Sequence, residues 1–321
     1  MQFTKIKIQP SQEAQSTSTR DSGAPRGRAS RGRARFHYLL DKIRTAPFRT
    51  EPFRHIHIDD FFSAEDFAEL VSHPQIALPA ARDDRDLIRL LHAAGYREIS
   101  FPGTTTDLET YLAWHGSGER QRGVNNEHCE GFGVTMRLGA PERGSILDDL
   151  NRFLRTHLFW STLADKFGLD LDRTVPDSGI QKYLDGYEIS PHPDIRRKAL
   201  TFMVNINPAP GSEALDIHTH YMRFKPEHDH IRIGWDTDPT REREWVPWSS
   251  CETVSQQRRN NSIVIFAPAS DTLHAVRANY DHLPTQRTQC YGNLWYARPG
   301  RFGSHWSLPN RMIRAVRAAW T

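Results

Sequence analysis

Apolar side chains are almost absent from residues 9 to 35, a stretch of Ser, Thr, Gln, Gly, Pro and Arg. Such a segment buries too little surface to offset the entropy of ordering it, so residues 1–35 are expected to form a disordered tail. Order is expected from about Phe36. The segment Phe53-Arg-His-Ile-His-Ile-Asp-Asp-Phe-Phe-Ser63 alternates as a short strand and runs into a helix through Val71, with Ser63 and Asp66 at capping-box spacing. Arg82 to Ala94 and Ser145 to Phe167 repeat apolar positions at three and four residues and predict amphipathic helices. Beyond about residue 178 the texture changes to short runs rich in Val, Ile, Thr, Phe and Tyr. Strands are predicted at Ile180–Leu184, Leu200–Ile206, Ile263–Ala267, Leu273–Val276 and Arg287–Tyr296.

Helices first and strands second predict a mainly β domain, a sandwich or jelly roll with a helical buttress. On this reading residues 36–321 are one domain: helix-rich over 36–175, a β core over about 176–298, and a long insertion at 209–261 joining two core strands. The longest apolar runs, such as Ile263 to Ala267, are far shorter than a spanning helix, and the N-terminus has no apolar core of a secretory signal. Cys129, Cys251 and Cys290 are odd in number and lack a C-x-x-C pair, which suits reduced thiols in a cytoplasmic protein.

Charge changes the picture only once it is divided. Residues 1–35 carry eight basic residues against two acidic ones, a surplus that exceeds the +3 of the whole chain and leaves the remainder at −3. The basic balance is a property of the tail, so nucleic acid is not expected as a partner, although the tail could meet RNA phosphates. Neither G-x-G-x-x-G nor G-x-x-x-x-G-K-[ST] occurs, which removes the simplest nucleotide-binding classes.

The candidate chemistry lies in Ser190-Pro-His192-Pro-Asp194. In extended chain, positions two apart face the same way, so His192 and Asp194 can meet one ion. His274, just after the apolar run Ser262–Ala267, can supply a third ligand. Two His and one carboxylate on one face of a metal leave three positions open, the facial arrangement of non-haem Fe(II) oxygenases. The H-x-D spacing alone is weak, because sixteen histidines yield about one match by chance. His57-Ile-Asp59 is such a second match and reads as a decoy at a helix boundary.

With Tyr183 upstream, a strand from Lys198 to Asn207 and a later strand opening with Arg287, the region 175–298 resembles the Fe(II)/2-oxoglutarate-dependent dioxygenases, in particular the prolyl-4-hydroxylase-like branch. The resemblance implies a double-stranded β-helix, cupin-like in form. It implies Fe(II) on His192, Asp194 and His274, with O₂ and 2-oxoglutarate as cosubstrates. It further implies that a basic residue on a late strand holds the far carboxylate of 2-oxoglutarate. Arg287 matches best, thirteen residues after His274 where the family spacing is nearer ten; Arg277 and Arg298 are its rivals, and Asn279–Pro284 accounts for the extra length. Tyr183 stands where family members direct a tyrosine at the same carboxylate. An aspartate at 194 favours hydroxylation, since halogenating relatives carry Gly or Ala there.

The substrate is less legible. His218, His220, Arg223 and Trp248, with Trp235 and Trp245, lie in the 209–261 insertion, and a basic, aromatic set suits a polar small molecule. Asn293 and Trp295 share a strand face with Arg287. His218/His220 and His228/His230 form H-x-H pairs with no completing Cys or carboxylate, against a zinc site. The competing readings are a non-catalytic cupin-like barrel binding metal or ligand, and an RNA-associated protein acting through its tail.

Overall fold

The computed structural model describes residues 35–100, 104–118, 129 and 131–297. The expected tail, apart from Arg35, and Arg298 lie outside the described residues. Arg35 is already anchored, pairing with Asp66 at 2.7 Å.

Helices α1 (Tyr38–Thr45), α2 (Ala64–Ser72), α3 (Asp84–Ala93), α4 (Leu108–Ser117), α5 (Ile146–Leu154) and α6 (His157–Phe167) precede the main strands, and α7 (Asp229–Thr237) falls between them. Ser63, Asp83, Ser145 and Thr156 each accept a hydrogen bond from the N–H three residues on, which fixes where α2, α3, α5 and α6 begin. The Thr156 cap divides the expected helix 145–167 into two. Among the described residues no helix is long and apolar enough to cross a membrane, and the three cysteines are buried thiols.

Among the described residues, eleven strands form two antiparallel sheets. They are β1 (Ile56–Ile58), β2 (Tyr96–Glu98), β3 (Thr135–Leu138), β4 (Thr174–Tyr183), β5 (Glu188–His192), β6 (Lys198–Asn205), β7 (Thr219–Phe224), β8 (Cys251–Gln257), β9 (Ile263–Phe266), β10 (His274–Arg277) and β11 (Arg287–Tyr296). The large sheet runs β1-β9-β6-β11-β4-β3-β2 and the small one β5-β10-β7-β8. The segment 209–261 is therefore not simply an insertion: it supplies β7 and β8 to the small sheet, and α7 rides between them.

Alternation along β6 shows how the layers form. Leu200, Phe202 and Val204 pack with Leu150, Phe159 and Trp160 of the helices, while Met203 joins Phe266, Tyr221 and Phe53 between the sheets. Helices thus cover one face of the large sheet and the small sheet covers the other, in the jelly-roll manner. The inner faces of the two sheets enclose the polar residues of interest.

Candidate metal centre

His192 ends β5 and His274 begins β10, and the two are direct partners across that antiparallel pair. Their rings lie 4.3 Å apart between centroids. Each imidazole places Nδ1 2.9 Å from a backbone carbonyl, His192 on Ser190 and His274 on Thr272. A carbonyl only accepts, so Nδ1 carries the hydrogen and Nε2 presents its lone pair, the tautomer a metal requires. Burial, helped by the neighbouring His274, pulls His192 down to about 3, and burial lowers His274 as well. Both rings are neutral at pH 7.

Asp194 completes the group. Its Oδ1 is 3.9 Å from His192 Nε2, and one donor atom from each of the three residues lies within 4.8 Å of the others. Asp194 adopts φ +79°, a left-handed conformation that costs a non-glycine residue on the order of 1 kcal/mol. Burial, the largest single influence, works to raise its carboxyl, but its neighbours together, the charge of Lys198 first among them, hold it below the usual carboxylate range. Lys198 Nζ is 2.5 Å from Asp194 Oδ1, and the Thr201 hydroxyl donates to Oδ2 at 2.8 Å.

Arg287 opens β11 on the inner side of the large sheet, which faces the small sheet carrying the two histidines, and is 3% exposed. Its Nη2 donates to Thr219 Oγ1 at 3.1 Å, and its guanidinium stacks 4.4 Å from the centre of the Tyr183 ring. Nη1 is buried with no hydrogen-bond partner among the described residues. A buried cation with an unmade hydrogen bond is costly and demands an anion. The Gln181 amide, oriented so that its oxygen accepts from Arg137, donates to the Tyr183 hydroxyl at 2.7 Å and leaves that hydroxyl's own hydrogen available to an acceptor. Arg277, by contrast, is committed: its Nε and Nη2 each reach Glu188 at 2.9 Å.

The structural neighbours of the chain are prolyl hydroxylases and Fe(II)/2-oxoglutarate dioxygenases. One is a prolyl hydroxylase from Trichoplax adhaerens in complex with a hypoxia inducible factor peptide fragment (12% identity, 86% of this chain and 94% of that one, TM-score 0.35). Another is a prolyl-4-hydroxylase from Pseudomonas putida (12% identity, 82% and 99% covered, TM-score 0.35). A third is HygX from Streptomyces hygroscopicus with nickel, 2-oxoglutarate and hygromycin B bound (10% identity, 70% and 90% covered, TM-score 0.27). No protein-family model and no curated protein matches the sequence. Likeness at this level is remote, and the chemistry of the site stands on its own atoms.

The expected substrate residues separate into two groups. Asn293 accepts from the Tyr291 hydroxyl at 3.1 Å and lies 3.0 Å from the Thr201 hydroxyl, and the Trp295 ring is 5.5 Å from Lys198 Nζ. These two are beside the triad. His218, His220, Arg223 and Trp248 are not brought to it. His218 donates through Nε2 to Glu213 O, and His220 bonds Thr253. Arg223 is exposed and pairs with Glu252, and Trp248 donates to Glu188 under the Arg277 guanidinium. Alternation explains the miss for His220: Thr219 and Tyr221 of β7 face inward, so their neighbour His220 faces out. His57 sits on β1 with Nε2 3.4 Å from Asp59 and belongs to no three-ligand group among the described residues.

Two residues at the site, Thr201 and Lys198 of β6, escaped sequence reasoning. Trp245, named in the aromatic set of the 209–261 segment, enters from the stretch after α7, its ring 5.2 Å from His192. The hydrogen bond from Val246 N to Pro191 O, 2.8 Å, ties that segment to the metal strand. A second His–His–Asp cluster, Asp84, His115 and His282, joins α3, α4 and the loop before β11. There Asp185 N–H donates to His282 Nδ1 at 3.0 Å, so the neutral ring carries its hydrogen on Nε2 and directs it at Asp84 Oδ1, 2.8 Å away. His115 meets a carboxylate at each nitrogen, Asp84 at 2.7 Å and Asp185 at 2.8 Å.

Proposed function

We propose that this chain is an Fe(II)- and 2-oxoglutarate-dependent oxygenase, built on a double-stranded β-helix, that hydroxylates a polar small molecule. One observation carries the reading. Between the two sheets, two neutral imidazoles of the small sheet converge with a carboxylate while a buried guanidinium of the large sheet, Arg287, keeps Nη1 without a hydrogen-bond partner among the described residues. The donor set suits a divalent metal with three positions left open, and the guanidinium suits a distal carboxylate.

His192, Asp194 and His274 would hold the iron, and Arg287 with the Tyr183 hydroxyl would hold the far carboxylate of 2-oxoglutarate. When bound, the pair supplies the oxidising chemistry: O₂ gives one atom to a substrate C–H bond and one to the succinate that leaves with CO₂. The chain's own work is positional. The Ser190 and Thr272 carbonyls fix the imidazole tautomers, Thr201 orients Asp194, and the Phe266 and Trp245 rings pack on the two histidines. An aspartate at position 194, rather than a small residue, keeps that coordination position occupied and favours hydroxylation.

Anaerobic Fe(II) plus 2-oxoglutarate should produce the weak visible band of a metal-chelated keto acid, and admission of O₂ should then yield succinate. Iron bound at His192 with neither band nor succinate, candidate substrates supplied, would leave a metal-binding barrel without oxygen chemistry.

A further inference from the structure

Strand alternation places Lys198 on the wrong side of the sheet. Leu200, Phe202 and Val204 of β6 face the helices, and Lys198 shares their parity. A bulge corrects this: Leu294 pairs with Leu200, but the next residue, Trp295, pairs with Lys198, so Ala199 is the extra residue. Bulges re-aim side chains in this way. Lys198 consequently faces the metal group, its Nζ 2.5 Å from Asp194 Oδ1 and donating to the Tyr291 hydroxyl at 2.9 Å. The oxygen it holds is the one that faces His192. Ammonium and metal therefore compete for the same atom.

The charges of the enclosed site make this competition informative. Asp194 contributes one negative charge, and Lys198 and Arg287 two positive ones; the histidines, with Nδ1–H on backbone carbonyls and Nε2 left for a metal, contribute none. Neighbouring charges are matched elsewhere, Arg277 by Glu188 and Glu244 by Arg241. Lys182 lies on the far side of the sheet, bonded to Ile76 O and Thr288. A divalent metal and doubly charged 2-oxoglutarate cancel each other, which leaves one positive charge surplus. Without Lys198 the account would close at zero. An uncompensated buried charge is strongly unfavourable, so the surplus calls for a monoanion. The Trp245 indole N–H, beside His192 and buried without a partner among the described residues, is a second donor for it.

We propose that Lys198 is the specificity-determining residue of the site: metal binding takes Asp194 from its ammonium, and the released ammonium selects a substrate bearing a single negative charge next to the carbon that reacts. The proposal rests on the oxygenase reading for the word substrate, but its test does not use oxygen.

In the full-length chain, Co(II) affinity is measured by chelator competition for wild type, Lys198→Met, Lys198→Gln and Lys198→Arg. Removing the competing cation should tighten Co(II) binding at least ~10-fold in the Met and Gln variants and leave the Arg variant near wild type. The Co(II)–2-oxoglutarate form is then titrated anaerobically with methanesulfonate, a weakly ligating monoanion, and with its neutral isostere dimethyl sulfone, read by Co(II) absorption and tryptophan fluorescence. Wild type and Lys198→Arg should prefer the anion; Met and Gln should lose the preference. Unchanged or weaker Co(II) binding in a folded Met or Gln variant overturns the proposal, as does the absence of an anion preference in wild type. A wild type showing both Lys198 effects but forming no succinate refutes the oxygenase reading and leaves the anion site standing.

Discussion

Among the described residues, two clusters contain two histidines and an aspartate within ligand distance, and they are built for opposite purposes. In one, His192 and His274 give their Nδ1 hydrogens to backbone carbonyls, so lone pairs converge on a common point. In the other, His282 accepts at Nδ1 from Asp185 N–H and turns its remaining hydrogen toward Asp84, while His115 bridges two carboxylates as a cation. A metal at His282 Nε2 would require removing the ring's one N–H hydrogen or giving up the Asp185 hydrogen bond at Nδ1. The first cluster presents lone pairs that could receive a cation; the second sets a carboxylate against each nitrogen of His115. Residue types and spacing do not separate the two, but the positions of the hydrogens do.

The largest effect that could break this contrast concerns metal loading. His192→Ala or His274→Ala should weaken Co(II) binding by more than about 100-fold, while His115→Ala and His282→Ala keep one metal per chain, as measured by metal analysis and Co(II) spectra. A lost metal in the His115 or His282 variant would show that the second cluster ligates after all. Next comes the anchor. Arg287→Ala should weaken 2-oxoglutarate binding by about 2–4 kcal/mol in an anaerobic titration, with metal affinity unchanged and Arg277→Ala nearly silent. Loss in the Arg277 variant instead would shift the role there.

The second cluster should answer in stability. His115→Gln removes a charge-assisted bridge between α3, α4 and the residue after Leu184, and should cost roughly 1–3 kcal/mol in denaturant unfolding without altering metal content. The smallest effect is its pH dependence. Hydrogen bonding to Asp185 and Asp84 raises His115 against the pull of burial, and hydrogen bonding from His282 and His115 lowers Asp84. The charged groups facing His115 are these two carboxylates, and His282 faces it as a neutral ring. The His115 contribution is complete below its ordinary 6.5 and fades as pH rises through its folded value; the Asp84 contribution is complete above its ordinary 3.8 and fades as pH falls. Melting temperature in wild type should therefore drop more steeply above pH 6.5 than in His115→Gln, and parallel curves would remove the bridge from the account.

The sequence spoke clearly where chemistry follows local periodicity. The β11 residues Arg287, Tyr291 and Asn293 share a face by period two, as expected. His192 and Asp194 also meet, but β5 ends at His192 and Asp194 is left-handed, so the extended-chain rule pointed to the pair without describing its geometry. The Ser63 cap was legible for a similar reason. What was hidden depends on register and on distant partners. Asp84, His115 and His282 come from segments separated by 31 and 198 positions, and no spacing rule spans that. Lys198 was visible as a residue, yet its parity pointed to the helices until the Ala199 bulge reversed it. β7 and β8 hid inside 209–261 because His, Arg and Gln interrupt their alternation, and His220 and Arg223 consequently looked like pocket residues.

The backbone at Asp194 has an evolutionary consequence. With φ at +79°, that position favours the one residue that has no side chain. Aspartate and glycine codons differ by a single base, so drift and local geometry push in the same direction, toward loss of the carboxylate. On the proposed reading, an aspartate kept at this position in related chains marks a demand of the site and not of the fold.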